Sequence, residues 1–185
     1  MNATSKNLSL EEKRAQLIIK YRNLTKETEK PVGEEDRLVY RLHDKNGQLI
    51  IMHAVIGQKT IGISYVRELK EMVEKEGAAR GILVGDGKYT YSARSSAEEL
   101  GIELIPPTLP TFDIFEHALV PKHEIVSEEE LVEVTKKYHA EPFQFPWIKM
   151  NDPIAIILGA KRGDVVKITQ KSETAGTALS YRYVV

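Results

Sequence analysis

The stretch RLVYRLHDKNGQLIIMHAVIG, residues 37–57, decides how the first half of the chain folds. Two runs rich in aliphatic and aromatic residues flank Asn46-Gly47, a pair that accepts the positive φ angles of a tight reversal. The stretch predicts a hairpin with strands at 37–43 and 48–56. Upstream, residues 9–24 predict a helix, with Leu17, Ile18 and Tyr21 as its apolar positions. Downstream, SYVRELKEMVEKEG (64–77) predicts an amphipathic helix. Val66, Leu69, Met72 and Val73 form its stripe, and Gly77 stands where a C-terminal cap belongs. ARGILVG (79–85) is nearly all apolar and predicts a buried central strand. SARSSAEELG (92–101) predicts a second helix and IELIP (102–106) a further strand. The order helix, β, β, α, β, α, β predicts a small α/β domain with a mixed sheet.

PPTLP (106–110) interrupts this pattern, because proline lacks a donor and fixes φ. The reading places domains at 1–110 and 116–185, with a linker at 106–115. HALVPKHEIV (117–126) is a short extended piece broken by Pro121. Ser127 with Glu130 predicts a capping box. The helix it opens carries acids at 128–130 and lysines at 136–137, matching the helix dipole, with Leu131, Val134 and Tyr138 as its buried stripe. Asp152-Pro153 predicts a second helix start, closed by Gly159. GDVVKITQ (163–170) and TALSYRYVV (177–185) predict antiparallel strands across a loop at Ser172–Gly176. In the last strand Leu179, Tyr181, Tyr183 and Val185 alternate with Ala178, Ser180, Arg182 and Val184, which predicts one apolar face in search of a partner surface.

The bulk numbers exclude several classes. The chain has 185 residues, 42% of them hydrophobic and 29% charged, as in ordinary globular proteins. The net charge of −1 does not fit a protein that wraps nucleic acid unaided. Any nucleic-acid contact is expected to be local or shared with partners. Cysteine is absent, which removes disulfides and thiolate metal sites. No apolar run is long enough for a membrane span, and MNATSKNLSLEEKR (1–14) lacks a signal-type apolar core.

Catalytic patterns are thin. His43, His53, His117, His123 and His139 have no metal-ligand spacing. GDGK (85–88) lies between a strand and a helix but lacks the phosphate-loop pattern, so it reads as a plain turn. No GxSxG is present. No catalytic residue, metal or cofactor is expected.

QLIIMHAVIG (48–57), VRELKEMVEKEGAARGILVG (66–85) and SARSSAEELGIELI (92–105) together resemble the restriction-endonuclease fold, most closely its Mrr-like branch. In that family the second hairpin strand carries Glu or Gln, one residue, then Lys, and the preceding strand an Asp; these hold Mg²⁺ and activate a water. Here Met52 and Ala54 stand at the first two positions and Tyr40 near the third. None of the three binds magnesium. The resemblance implies the scaffold without the activity.

LVPKHEIVSEEE (119–130), NDPIAIILGAKRGDVVKI (151–168) and KSETAGTALSYRYVV (171–185) resemble, in order, the small assembly subunit of archaeal RNA polymerase, which corresponds to the assembly domain of the fifth subunit of eukaryotic DNA-directed RNA polymerases. Departures are Ile156-Ile157 in place of a common Arg-Tyr, and Phe145-Pro146-Trp147 in place of Leu-Pro-Arg or Leu-Pro-Lys. The whole is expected to be α/β (α+β): a restriction-endonuclease-like α/β domain, or jaw, followed by a small α+β assembly domain.

The resemblance implies a non-catalytic structural subunit of DNA-directed RNA polymerase, docked on the largest subunit and forming part of the downstream-DNA jaw. The docking residues it implies fall in three clusters. They are Pro121, Lys122 and His123; then Asp152, Pro153, Gly159, Lys161, Gly163 and Asp164; then Ser172, Glu173, Thr174, Ala175, Gly176, Tyr181 and Arg182. YTYSARSS (89–96) matches a family loop that lies near downstream double-stranded DNA. It implies Lys88, Tyr89, Thr90, Ser92 and Arg94 as the DNA-proximal set, with an ordinary helix start capped by Ser92 as the plainer reading. The alternatives are an Mrr-like DNA-binding or nuclease-derived protein and a transient polymerase regulator. The location is cytoplasmic in an archaeon, which composition favours, and nuclear in a eukaryote; no membrane partner is expected. Deleting 172–185 is expected to release the chain from polymerase while leaving the first domain folded.

Overall fold

The computed structural model describes residues 8–28, 37–172 and 176–185. The chain divides into two compact units, Met1–Phe112 and Asp113–Val185.

In the first unit Ser9 caps helix α1 (Leu10–Tyr21), its side chain accepting from the Glu12 N–H while the Glu12 carboxylate accepts from the Ser9 N–H. This capping box satisfies two donors that a helix start leaves unpaired. A five-stranded sheet follows in the order β1 (Thr25–Lys26), β2 (Arg37–His43), β3 (Leu49–Val55), β5 (Arg80–Gly85), β7 (Ile102–Ile105). The β2–β3 hairpin is antiparallel, and β3, β5 and β7 run parallel. The turn spans Asp44–Gln48, longer than a two-residue reversal. Asp44 Oδ1 accepts from the Asn46 and Gln48 N–H groups, and Gly47 takes φ +75°.

Helices α2 (Ile63–Glu76) and α3 (Tyr91–Leu100) cover one sheet face. Val66, Leu69 and Val73 pack there with Ile51, Val55, Leu83, Ala93 and Ala97. Each fully buried leucine of this set contributes about 1.5–3 kcal/mol. Gly77 ends α2 in the left-handed region at φ +65°, as expected of it.

Three features differ from the sequence reading. A second, two-stranded parallel sheet joins β4 (Thr60–Ile61) to β6 (Lys88–Tyr89), two strands too short for a periodic signal. Glu11 and Arg14 of α1, outside the expected apolar positions, are buried. Glu11 Oε1 accepts from the Gly57 N–H. Arg14 donates from Nε to the Leu109 carbonyl at 2.8 Å, from Nη2 to the Pro107 carbonyl at 2.6 Å and from Nη1 to Asp86 Oδ1 at 2.8 Å. Thirdly, the expected linker is in part a component of this unit, because Arg14 grips its backbone and Leu109 is buried.

The second unit has a four-stranded sheet in the order β8 (Lys122–Ile125), β10 (Val165–Ser172), β11 (Gly176–Val184), β9 (Trp147–Ile148). Helix α4 (Glu128–Tyr138) starts at Ser127, whose hydroxyl accepts from the Glu130 N–H. The Glu130 carboxylate binds Lys167 Nζ on β10 at 2.8 Å, so the side chain expected to complete a capping box tethers the helix to the sheet instead. Helix α5 (Pro153–Leu158) is capped by Asp152 and closed by Gly159 at φ +72°.

The last strand differs most from expectation. Tyr181 packs with Val126, Val134, Phe145 and Val165 on one face. Val184, on the other face, is fully buried with Ala155, Ala160 and Val166. Both faces are therefore apolar near the end of the chain. The Tyr183 N–H donates to Pro146, Val184 to Asp164 and Val185 to Ile148, while the Met150 N–H donates to the Val185 carbonyl. The terminal residues are held within their own unit.

Candidate docking and nucleic-acid surfaces

The positions that the nuclease resemblance assigns to metal ligands lie on β2 and β3. Tyr40 pairs with Met52 across the hairpin. Side chains alternate along a strand. Ile51 and Val55 face α2 and α3, so Met52 and Ala54 face the side that α1 covers. Met52 and Ala54 are fully buried and Tyr40 nearly so. Burial, then the charge of Glu12, pushes the Tyr40 hydroxyl up to about 12, so it is a neutral phenol at physiological pH. No group of His, Asp or Glu suited to a metal occurs among the described residues. His53 is a buried core residue packed edge-on against Tyr65.

The expected DNA-proximal loop divides into inward and outward residues. Tyr89 is buried, and its hydroxyl bonds the Leu83 and Ile105 carbonyls at 3.1 and 2.9 Å. Its hydroxyl is thus committed to the core and not free for a phosphate. Thr90, rather than Ser92, caps α3, its Oγ1 accepting from the Ala93 N–H. Ser92 Oγ lies 3.1 Å from that hydroxyl. Lys88, Ser92 and Arg94 are exposed, and Tyr91 is 84% exposed. The β4–β6 pairing sets Thr60 beside Lys88, next to exposed Lys59. The result is a small surface of two lysines, an arginine, hydroxyls and an open aromatic ring at the α3 start. Lys59, Thr60 and Tyr91 carried no signal that separated them from other surface residues, since only the strand pairing unites them.

In the second unit several expected docking residues have internal work. Asp152 Oδ1 accepts from the Ile154 N–H at 2.9 Å, and Asp164 Oδ2 from the Lys161 N–H at 2.7 Å. Gly159 and Gly163 take φ +72° and +97°. Tyr181 is core: Tyr138 and Phe145 lie 5.7 and 5.9 Å away between ring centroids. His123 bonds the Pro121 carbonyl through Nδ1 at 2.7 Å, and burial lowers its pKa. Lys122, Pro153, Lys161, Gly163, Gly176 and Arg182 are exposed. Glu173, Thr174 and Ala175 lie outside the described residues, and Ser172 is described as the strand position paired with Gly176.

The family described as RNA polymerase Rpb5, C-terminal domain, matches residues 112–184. DNA-directed RNA polymerase subunit Rpo5 of Staphylothermus marinus is 49% identical over 73 residues, 40% of this chain and 80% of that protein. Its counterpart in Nitrosopumilus maritimus is 56% identical over 70 residues, 38% of this chain and 84% of that protein. That of Thermococcus kodakarensis is 54% identical over 74 residues, 40% and 90% respectively. The chain belongs to the Rpo5 family.

These Rpo5 relatives are archaeal and are about half as long as this chain, since a stretch covering most of each covers only 40% or so of it. The first unit has a separate affinity: the family described as Restriction endonuclease matches residues 17–108. Among solved structures, EndoMS in apo form aligns over 55% of this chain and 47% of its own, at 23% identity and TM-score 0.40. A repair endonuclease from Pyrococcus abyssi aligns over 57% and 50%, at 21% identity and TM-score 0.39. The chain thus joins an α/β unit of restriction-endonuclease type to an Rpo5-type α+β unit.

Proposed function

We propose that the chain is a non-catalytic structural subunit of an archaeal DNA-directed RNA polymerase, working in the cytoplasm. Its Rpo5-type unit docks on the largest subunit, and its endonuclease-type unit forms part of the jaw beside downstream DNA. One observation carries this reading: an Rpo5-type unit shares the chain with a nuclease scaffold whose metal-holding positions are Tyr40, Met52 and Ala54, all packed into the core. Chemistry on DNA is left to other subunits. The exposed docking set is Lys122, Pro153, Lys161, Gly163, Gly176 and Arg182. The DNA-proximal set is Lys88, Ser92 and Arg94, with the hydroxyl of Thr90 oriented by the α3 cap. Cations and hydroxyls of this kind hold phosphates without reading sequence.

The test is affinity purification of the tagged chain from its native host at high salt. One-to-one recovery with the large polymerase subunits supports a core subunit. Traces that wash away with salt support a transient regulator, because obligate interfaces are large and apolar. For the DNA face, a photocrosslinker at Tyr91 should mark downstream DNA in the assembled polymerase. The pair K88E and R94E should abolish that crosslink without releasing the chain. Crosslinks to protein alone would refute the DNA placement.

A further inference from the structure

The cationic surface at the α3 start carries its charge unopposed. Among the described residues Lys59, Lys88 and Arg94 form no ion pair, whereas Arg14, Arg22, Arg37 and Arg41 of the same unit each hold a carboxylate. Strand pairing brings the two lysines together: Thr60 is the partner of Lys88, and the Lys88 N–H donates to the Lys59 carbonyl at 3.0 Å. Neighbouring strands lie about 4.8 Å apart, so these like charges repel. The first turns of α2 and α3 hold no acid. In segments 56–64 and 85–97, which build this surface, Asp86 is the one carboxylate.

Asp86 stands two residues before Lys88, and its side chain is 43% exposed. A free carboxylate there would pair with Lys88 and close the surface to phosphate. Arg14 prevents this. Its Nη1 binds Asp86 Oδ1 at 2.8 Å, while Nε and Nη2 are anchored on the Leu109 and Pro107 carbonyls. The anchoring fixes where the guanidinium sits, and therefore which way the carboxylate turns. Loop 85–88 has no room to shift, because Gly87 is packed so closely against Gln58 and Lys59 that a Cβ would strike their backbone. Glu11, the α1 acid near these loops, is buried and accepts from the Gly57 N–H. Both acids are thus turned from the lysines by bonds made inside the unit. A half-exposed pair such as Arg14–Asp86 adds little stability. Its effect is on what else Asp86 can hold.

We propose that Arg14 is a positioning residue for the DNA face: by holding Asp86 it leaves Lys59 and Lys88 open to phosphate. This rests on the DNA reading of that surface and adds what keeps the surface cationic.

The experiment uses the full chain assembled in polymerase, with a photocrosslinker at Tyr91, and reads DNA crosslinking per incorporated chain. Arg14→Met should lower it about two- to fivefold, the strength of one exposed ion pair made by the released carboxylate. Adding Asp86→Asn should restore the signal, although it replaces no bond that Arg14 made; a merely structural role for Arg14 gives no such rescue. Asp86→Asn alone should not lower crosslinking. Thr60→Glu sets an acid beside Lys88 with Arg14 in place. It should lower crosslinking by a similar factor while Thr60→Gln does not, so the inference stays testable if Arg14→Met fails to fold. Full crosslinking in Arg14→Met, a loss that Asp86→Asn does not restore, or full crosslinking in Thr60→Glu would each overturn it. No DNA crosslink from the chain with Arg14, Thr60 and Asp86 intact would instead refute the DNA placement, and this inference with it.

Discussion

Arg14→Met should loosen the first unit by about 3 kcal/mol, because a methionine keeps the aliphatic stem but none of the donors. Arg14 is 4% exposed. Its guanidinium serves the Leu109 and Pro107 carbonyls and Asp86, with a weaker approach to the Gly85 carbonyl at 3.4 Å. A charged donor to a carbonyl contributes roughly 1.5–3 kcal/mol when its loss leaves the acceptor buried. Asp86 is 43% exposed, so water replaces much of its share. Two carbonyls at the lower end of that range give the estimate of about 3 kcal/mol. The assay is hydrogen exchange of the full chain, read on peptides from β5 and β7, where protection should fall by about two decades. Asp86→Asn should lose less than about one decade, since the carbonyl bonds remain. A loss below about fivefold for Arg14→Met would refute the reasoning, for it would mean that the Pro107 and Leu109 carbonyls are satisfied without Arg14.

Three further perturbations probe other parts of the molecule. Restoring the acid and lysine with Met52→Glu and Ala54→Lys should cost at least about 3 kcal/mol by thermal melting, because both positions are fully buried; magnesium-dependent DNA cleavage by the wild type would refute the non-catalytic reading. Gly87→Ala should cost about 2–3 kcal/mol, since a Cβ there overlaps the Gln58 carbonyl oxygen and lies 2.8 Å from the Lys59 carbonyl carbon, both backbone. Gly81→Ala, whose nearest neighbour is the movable Ile102 side chain at 2.6 Å, should cost less in the same melt. Glu76 accepts two bonds from Arg41 at 2.7 Å, and chiefly for that reason its pKa is lowered. A carboxylate with a lowered folded pKa contributes stability above its unfolded value, near pH 4.3, and loses it as pH falls through the folded value. Arg41→Met should therefore reduce stability at neutral pH by up to about 1 kcal/mol and flatten the acid limb of a stability–pH curve; an unchanged acid limb would place the proton uptake elsewhere.

The regular elements were legible because their signals are local. Gly77, Asp152 and Gly159 mark helix ends through bonds and φ angles within a few residues, and the structure uses each of them so. ARGILVG reads as central because both its faces are apolar, and β5 indeed lies between β3 and β7. Met52 and Ala54 were equally plain as residue types that cannot hold magnesium wherever they point. The two family resemblances depend on ordered motifs and needed no coordinates.

Tertiary structure decided what depends on residues distant in sequence. Arg14 and Glu11 carry no local signal of burial, yet their partners are the carbonyls near residue 108 and the N–H of Gly57. Tyr89 read as a phosphate ligand until its hydroxyl was met by two core carbonyls. Lys59 and Lys88 became neighbours through a pairing of two-residue strands. Above all, the last strand is interior to its sheet, with β10 on one side and β9 on the other. Removing 172–185 would therefore dismantle the second unit, and its loss from polymerase would not by itself reveal a docking contact. Periodicity reports that a strand has an apolar face. It cannot report whether that face meets the chain's own helix or another protein, because both bury the same surface and only the path of the chain distinguishes them.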